Sequence, residues 1–64
     1  MLYTLTISSY TSSQTFEFNN LRQALNSFIE HCDSFGYEYA EDNDGNFVAG
    51  GYGHSHEITL ISNF

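Results

Sequence analysis

The stretch that decides the fold is NLRQALNSFIEHCDSFG, residues 20–36. Its apolar side chains return at the 3.6-residue period of an α-helix and therefore form one stripe. Asn20 can cap the first turn with its side-chain oxygen, and Gly36 suits the left-handed conformation that ends many helices. The pattern predicts a helix over residues 20–35, whose apolar face consists of Leu21, Ala24, Leu25, Phe28, Cys32 and Phe35, with Ile29 on its flank.

Two alternating segments before the helix predict an N-terminal β-hairpin. Residues 2–8 place every second side chain on an apolar face, and residues 14–18 place Phe16 and Phe18 together. A period of two residues is that of a β-strand. The polar residues 9–13 between the two segments predict the connecting turn.

Shorter β segments follow the helix. An Asp-Gly pair in residues 43–46 favours a tight turn, and the glycine-rich residues 50–53 predict a loop or a bulged strand end. The predicted chain order is ββαβββ, or ββαββ if the middle strand is too short. The predicted strands of this half are residues 37–42, 47–49 and 54–62.

These elements predict an α+β fold in a single domain over residues 1–64. A single helix packs on an antiparallel sheet of four to five strands, which gives two layers. One helix covers only one face of the sheet, so some apolar side chains are left for an exposed aromatic surface. Alternatively, the C-terminal members of this set, Ile61 and Phe64, complete the edge of the core. The set is Tyr10, Tyr39, Tyr52, Ile61 and Phe64.

The charge balance excludes several classes of partner. Eight Asp and Glu residues stand against one base, Arg22, and the formal net charge is −7. Binding a phosphate backbone or an anionic membrane requires several basic side chains, so we expect no direct nucleic-acid or membrane binding. A basic protein surface would be attracted instead. Solubility alone is the alternative explanation of the charge.

Six of the eight acids fall between Glu30 and Asp44. Like charges placed together cost stability, so the cluster favours a basic partner with a groove that otherwise holds nucleic acid. A solvated helix face followed by a polar turn is the alternative interpretation. The predicted partner-binding residues are Glu30, Asp33, Glu38, Glu41, Asp42 and Asp44, together with Tyr39 and Tyr52.

The residues that could carry chemistry do not form a catalytic pattern, so we expect no enzyme. In a strand, His54 and His56 would share a face and could chelate a metal. Cys32 lies on the apolar stripe and His31 lies off it, so the two residues do not readily complete one site. Adjacent helical side chains diverge by about 100°, which also keeps His31 from activating the Cys32 thiol. We predict no metal and no cofactor, with a histidine metal site as a minor alternative.

The lone cysteine cannot form an internal disulfide, and no apolar run reaches 18 residues, so we expect a cytoplasmic protein. In its small size, acidity, lack of lysine and simple α+β order, the chain resembles the small acidic inhibitors that phages encode, of the anti-CRISPR and anti-restriction type. The resemblance is one of general type and assigns no role to any particular residue.

This resemblance implies a non-enzymatic inhibitor or adaptor, a nucleic-acid mimic that docks on a basic, nucleic-acid-handling protein in the host cytoplasm. The alternative is a self-associating structural or regulatory domain, such as a homodimer. It rests on the strand edges, which neither lysine nor proline protects.

Overall fold

The computed structural model describes residues 2–51 and 53–63 and confirms the α+β fold. Within these ranges, one helix and five strands follow the chain order ββαβββ, the longer of the two predicted orders. The elements are β1 (Leu2–Ser9), β2 (Ser13–Phe18), α1 (Leu21–Phe35), β3 (Tyr39–Glu41), β4 (Phe47–Gly50) and β5 (His56–Asn63).

The five strands form one antiparallel sheet in the order β2-β1-β5-β4-β3. The predicted N-terminal hairpin is confirmed as β1–β2. On its other side, β1 pairs with β5 along its whole length, from Leu2 opposite Asn63 to Ser9 opposite His56. The central strand β5 therefore joins the N-terminal hairpin to β3–β4, and β2 and β3 are the two edges of the sheet.

Both ends of α1 have the predicted capping residues. The Oδ1 atom of Asn20 accepts a hydrogen bond from the backbone N–H of Gln23 at 3.2 Å. Gly36 adopts a φ of 73°, and the N–H of Tyr37 donates to the carbonyl of Cys32 at 2.9 Å. This Schellman-type bond turns the chain back at the helix end and brings Tyr37 towards the sheet.

The core lies between α1 and the sheet. The helix packs mainly on β1, β2 and β5. Phe28 is fully buried and also reaches the rings of Phe47 and Tyr39, with centroids 5.9 and 5.5 Å away. Leu21 and Phe35, the two ends of the predicted apolar face, are partly exposed. The buried residues are Tyr3, Leu5, Ile7, Ala24, Phe28, Cys32, Ala49, Ile58 and Leu60.

Two strands begin two residues later than predicted, whereas the bounds of the other three differ from the prediction by one residue. The strand predicted over residues 37–42 is limited to β3, because the return after the helix holds Tyr37 outside the sheet. The strand predicted over residues 54–62 begins at His56, because the N–H of His54 donates to the carbonyl of Gly51 at 2.9 Å in a turn.

Gly50 marks a close approach of two parts of the chain. Its φ is 72°, in the left-handed region that favours glycine. A Cβ atom at this position would overlap the carbonyl oxygen of His56 and would meet the ring of Tyr37 at 2.9 Å. Only glycine therefore fits without strain at position 50 of the predicted glycine-rich segment, where β4 and β5 converge beside the end of α1.

The sheet face opposite α1 carries hydroxyl and apolar side chains, together with Glu17 and Glu57. Register places Thr6 beside Thr59, and Thr59 beside Val48, in one row across β1, β5 and β4. Val48 is 42% exposed and Ile61 is 43% exposed on this face. Among the described residues, α1 is the single helix and lies on the other side, so this face is open to solvent.

Candidate functional site

Four of the predicted acids follow one edge of the sheet. Glu38 precedes β3, Glu41 ends it, and Asp42 and Asp44 lie in the turn to β4. All four are exposed. Because β3 is an outermost strand, these carboxylates lie along an open border of the protein. We call Glu38, Glu41, Asp42 and Asp44 the acidic edge.

The other two predicted acids lie on the helix that leads to this edge. Glu30 and Asp33 are exposed in the last part of α1. Arg22, the single base of the chain, is in the first turn of the same helix. Arg22 and Asp33 are eleven positions apart, which corresponds to about 16 Å along the helix axis. Arg22 therefore lies at the opposite end of α1 from Glu30 and Asp33.

Tyr39 is the aromatic residue of the acidic edge. Its ring meets Phe28 edge-on, with an interplanar angle of 80°, yet 46% of the residue stays exposed. Tyr39 lies opposite Ala49, which is buried, so its side chain is on the helix side of the sheet. A tyrosine that is anchored in the core and half open to solvent is a common contact residue at protein interfaces. Tyr52, the other predicted aromatic contact, lies outside the described residues.

Asp42 has a structural role that the sequence prediction missed. Its Oδ1 atom accepts hydrogen bonds from the backbone N–H groups of Asp44 and Asn46, both at 2.9 Å. Its own N–H donates to the carbonyl of Asn46 at 2.8 Å. Asp42 therefore builds the β3–β4 turn, and a substitution there changes the shape of the turn as well as its charge.

The structure does not bring the predicted aromatic surface together on one side. Tyr10 is 95% exposed beside the β1–β2 turn, Tyr39 is on the helix side of β3, and Ile61 is on the opposite sheet face. Tyr52 and Phe64 lie outside the described residues. The alternative, in which Ile61 completes the core, is not what the structure shows, because Ile61 is 43% exposed.

A cluster of rings at the C-terminal end of α1 was not predicted. Phe35 stacks on His56 and on Tyr37, with centroid distances of 4.5 and 5.3 Å. Tyr37 in turn contacts the ring of His54 at 4.6 Å, and its hydroxyl accepts from the N–H of His56 at 3.3 Å. Gly36 was the sequence signal that could have predicted this cluster, because the chain turns back after Gly36 and places Tyr37 against this end of the sheet.

The histidines do not form the metal site considered from the sequence. In the described part of the chain, no group of three His, Cys, Asp or Glu side chains is placed to hold a metal ion. His54 precedes β5, so it does not share a strand face with His56 as expected. His31 is engaged on α1, where its Nδ1 donates to the carbonyl of Ser27 at 2.8 Å.

Cys32 is a core residue and not a nucleophile. The side chain is fully buried on the inner face of α1. Burial raises the pKa of the Cys32 thiol, and the neighbouring negative charge of Asp33 raises it further. A buried thiol with a raised pKa stays protonated near neutral pH and is unreactive.

Two open clefts lie at the histidine end of the sheet and share Ser9 and His56 among their lining residues. Their volumes are about 350 and 200 Å³. Small-molecule sites usually occupy about 300–1,000 Å³ and enclose most of the ligand. The larger cleft is therefore at the lower end of that range and the smaller one is below it, and both are lined mostly by serine and histidine side chains.

The fold and the acidic edge together define a small two-layer α+β protein with one strongly acidic border. Comparison of the chain with protein-family models, with curated proteins and with solved structures finds no match. In residues 2–51 and 53–63, no helix has the length and apolar character needed to cross a bilayer.

Proposed function

We propose that this chain is a non-enzymatic acidic binding protein, an inhibitor or adaptor of the phage anti-defence type. It docks through the acidic edge on a basic, nucleic-acid-handling protein in the host cytoplasm. The observation that carries the proposal is the course of four exposed carboxylates along the open β3 border, beside the half-exposed Tyr39.

The spacing of these acids supports a common electrostatic field. Glu38 and Glu41 are three residues apart, which is about 10 Å in an extended strand. The Debye length is also about 10 Å at 0.1 M salt, so neighbouring members of the edge act together on an approaching cation. Such a field increases the association rate with a basic surface and gives the complex a strong dependence on salt.

The chemistry of the partner follows from the same edge. Arginine and lysine side chains that line a nucleic-acid groove would find carboxylates there in place of phosphates. Tyr39 adds a ring that an arginine can stack on. Glu30 and Asp33 add two further exposed carboxylates on the last turns of α1.

Charge reversal on the edge tests the proposal. We expect the Glu38→Lys/Glu41→Lys protein to lose a partner that the unmodified protein captures from source-cell extract at about 50 mM salt and releases at about 500 mM. Both residues are exposed, and neither side chain makes the turn-building hydrogen bonds that the Asp42 carboxylate makes. Asp42 is left unchanged because its side chain builds the turn.

The matched control is Glu17→Lys/Glu57→Lys, which reverses the same number of charges on β2 and β5, away from the edge. Each replacement adds two charges, so both double variants move from −7 to −3. The proposal requires the edge variant to lose the partner while the control keeps it. Equal loss in both would reduce the effect to net charge, and retention by the edge variant would refute the site.

A further inference from the structure

The edge opposite the acidic edge has a different character. β2 is six residues long, Ser13–Phe18, and pairs with β1 on one side only. Its single charged residue is Glu17, and it contains neither lysine nor proline. Natural sheets usually protect such an edge with lysine, proline or a bulge, because its backbone groups are ready to pair with another strand.

Phe16 adds an apolar contact to this edge. It lies opposite Leu5, which is buried, so its side chain is on the helix side of the sheet. The ring stacks against His31 of α1 at a centroid distance of 6.2 Å, yet Phe16 remains 40% exposed. The helix layer therefore ends above β2 and leaves a large ring at the border of the sheet.

The negative charge of the chain limits how two copies can associate. A second copy also carries −7, so association must keep the two acidic edges apart. Pairing through β2 does so, because each β3 lies four strands away from its own β2. At about 4.8 Å per strand, the two β3 strands of such a dimer would be about 43 Å apart, several times the Debye length in physiological salt.

We propose that β2 is a homodimer interface, in which β2 pairs antiparallel with β2 of a second copy and places Phe16 opposite Phe16. The product is a continuous ten-stranded sheet with both helices on the same side, related by a two-fold axis perpendicular to the sheet. It leaves both acidic edges accessible, so it goes beyond the proposed function and does not depend on it.

The register follows from the alternation of side chains. Directly opposite residues must lie on the same sheet face, so a symmetric pair is centred on a single residue of β2. Centring on Glu17 would place two carboxylates opposite each other, and centring on Thr15 would place each Phe16 opposite Gln14. Centring on Phe16 pairs the two rings and places each Glu17 opposite Thr15.

The oligomeric state tests the interface. Sedimentation of the unmodified protein should show a mass that rises from one 7.3 kDa chain towards twice that value with increasing concentration. Six-residue strand pairing is smaller than a standard interface, so we expect a dissociation constant on the order of 10–100 μM. A protein that stays monomeric at about ten times the upper figure would overturn the proposal.

Phe16→Lys and Val48→Lys form a matched pair of variants. The two positions are similarly exposed, at 40% and 42%, and both substitutions add one positive charge. Phe16→Lys places two ammonium groups opposite each other at the axis, so the dissociation constant should rise at least about tenfold. Val48→Lys should leave it unchanged, and the reverse result would move the interface to the open sheet face.

Cysteine cross-linking tests the register. Thr15→Cys and Glu17→Cys, made in separate chains and mixed, should form a disulfide between the two variants under mild oxidation, since these residues are opposite each other in the proposed pair. The native Cys32 is fully buried and does not compete. Cross-linking only within one variant would indicate another register, and none in the mixture would refute the pairing.

Discussion

Replacement of Gly50 by alanine should destabilise this fold far more than the same replacement at Gly36. Both glycines have positive φ, 72° and 73°, so alanine meets a similar backbone cost of about 1–2 kcal/mol at each. A Cβ at Gly36 has no heavy atom within 4 Å, whereas a Cβ at Gly50 overlaps the carbonyl oxygen of His56. Overpacking of this kind adds about 1–3 kcal/mol.

The total for Gly50→Ala is therefore about 2–4 kcal/mol after a small gain from the stiffer unfolded chain, against about 1 kcal/mol for Gly36→Ala. In a domain of this size each kcal/mol lowers Tm by about 4–8 °C, so we expect decreases of about 10–30 °C and 4–8 °C. The whole fold is worth about 3–10 kcal/mol at 64 residues, so Gly50→Ala can leave the protein largely unfolded at 25 °C.

Urea unfolding followed by circular dichroism measures both variants and gives the free energy of unfolding directly. An unfolded Gly50→Ala protein beside a folded Gly36→Ala protein agrees with the reasoning. Equal destabilisation by the two substitutions would show that the close approach of β4, β5 and Tyr37 does not exist in solution.

Two further predictions concern single side chains. Asp42→Ala should lower the free energy of unfolding, measured in urea, by about 1–2 kcal/mol, because two backbone N–H groups lose their acceptor. Asp44→Ala in the same turn should change it by less than about 0.5 kcal/mol. Comparable losses in the two variants would contradict the assigned role of Asp42. The pKa of the Cys32 thiol is raised in the folded protein, so the thiol of the unfolded chain ionises first, as pH rises through about 9. The thiol's contribution to stability is therefore complete below the ordinary thiol pKa and decreases above it. A Cys32→Ala protein should lack this part of the alkaline loss of stability, and an identical dependence of stability on pH in both proteins would refute the prediction.

The local elements could be predicted because each has a local signal. Asn20, the apolar stripe and Gly36 define the helix within one residue, and the alternation of Tyr3 to Ile7 defines β1. The strand order could not be predicted, since the pairing of β1 with β5 joins the two ends of the sequence and no local pattern encodes it.

The candidate site was predictable in composition but not in arrangement. The sequence identifies the acids between Glu30 and Asp44, and the structure adds that four of them border one strand. The sequence alone could not show that Asp42 builds the turn, because that role depends on hydrogen bonds from the backbone N–H groups of Asp44 and Asn46. The ring cluster was missed for a similar reason, since Phe35 and His56 meet only when the helix lies across the sheet.

The position of β5 has a consequence for how the chain reaches its fold. Its contacts with β1 join residues that are 47 positions apart, at Ser9 and His56, to 61 positions apart, at Leu2 and Asn63. Closing loops of this length costs chain entropy before any pairing compensates for it, whereas the β1–β2 turn closes over a few residues. The N-terminal hairpin and the helix can therefore form early, but the sheet is completed only when the last strand inserts between β1 and β4. Folding should accordingly be a single cooperative event whose rate is set by the arrival of that strand.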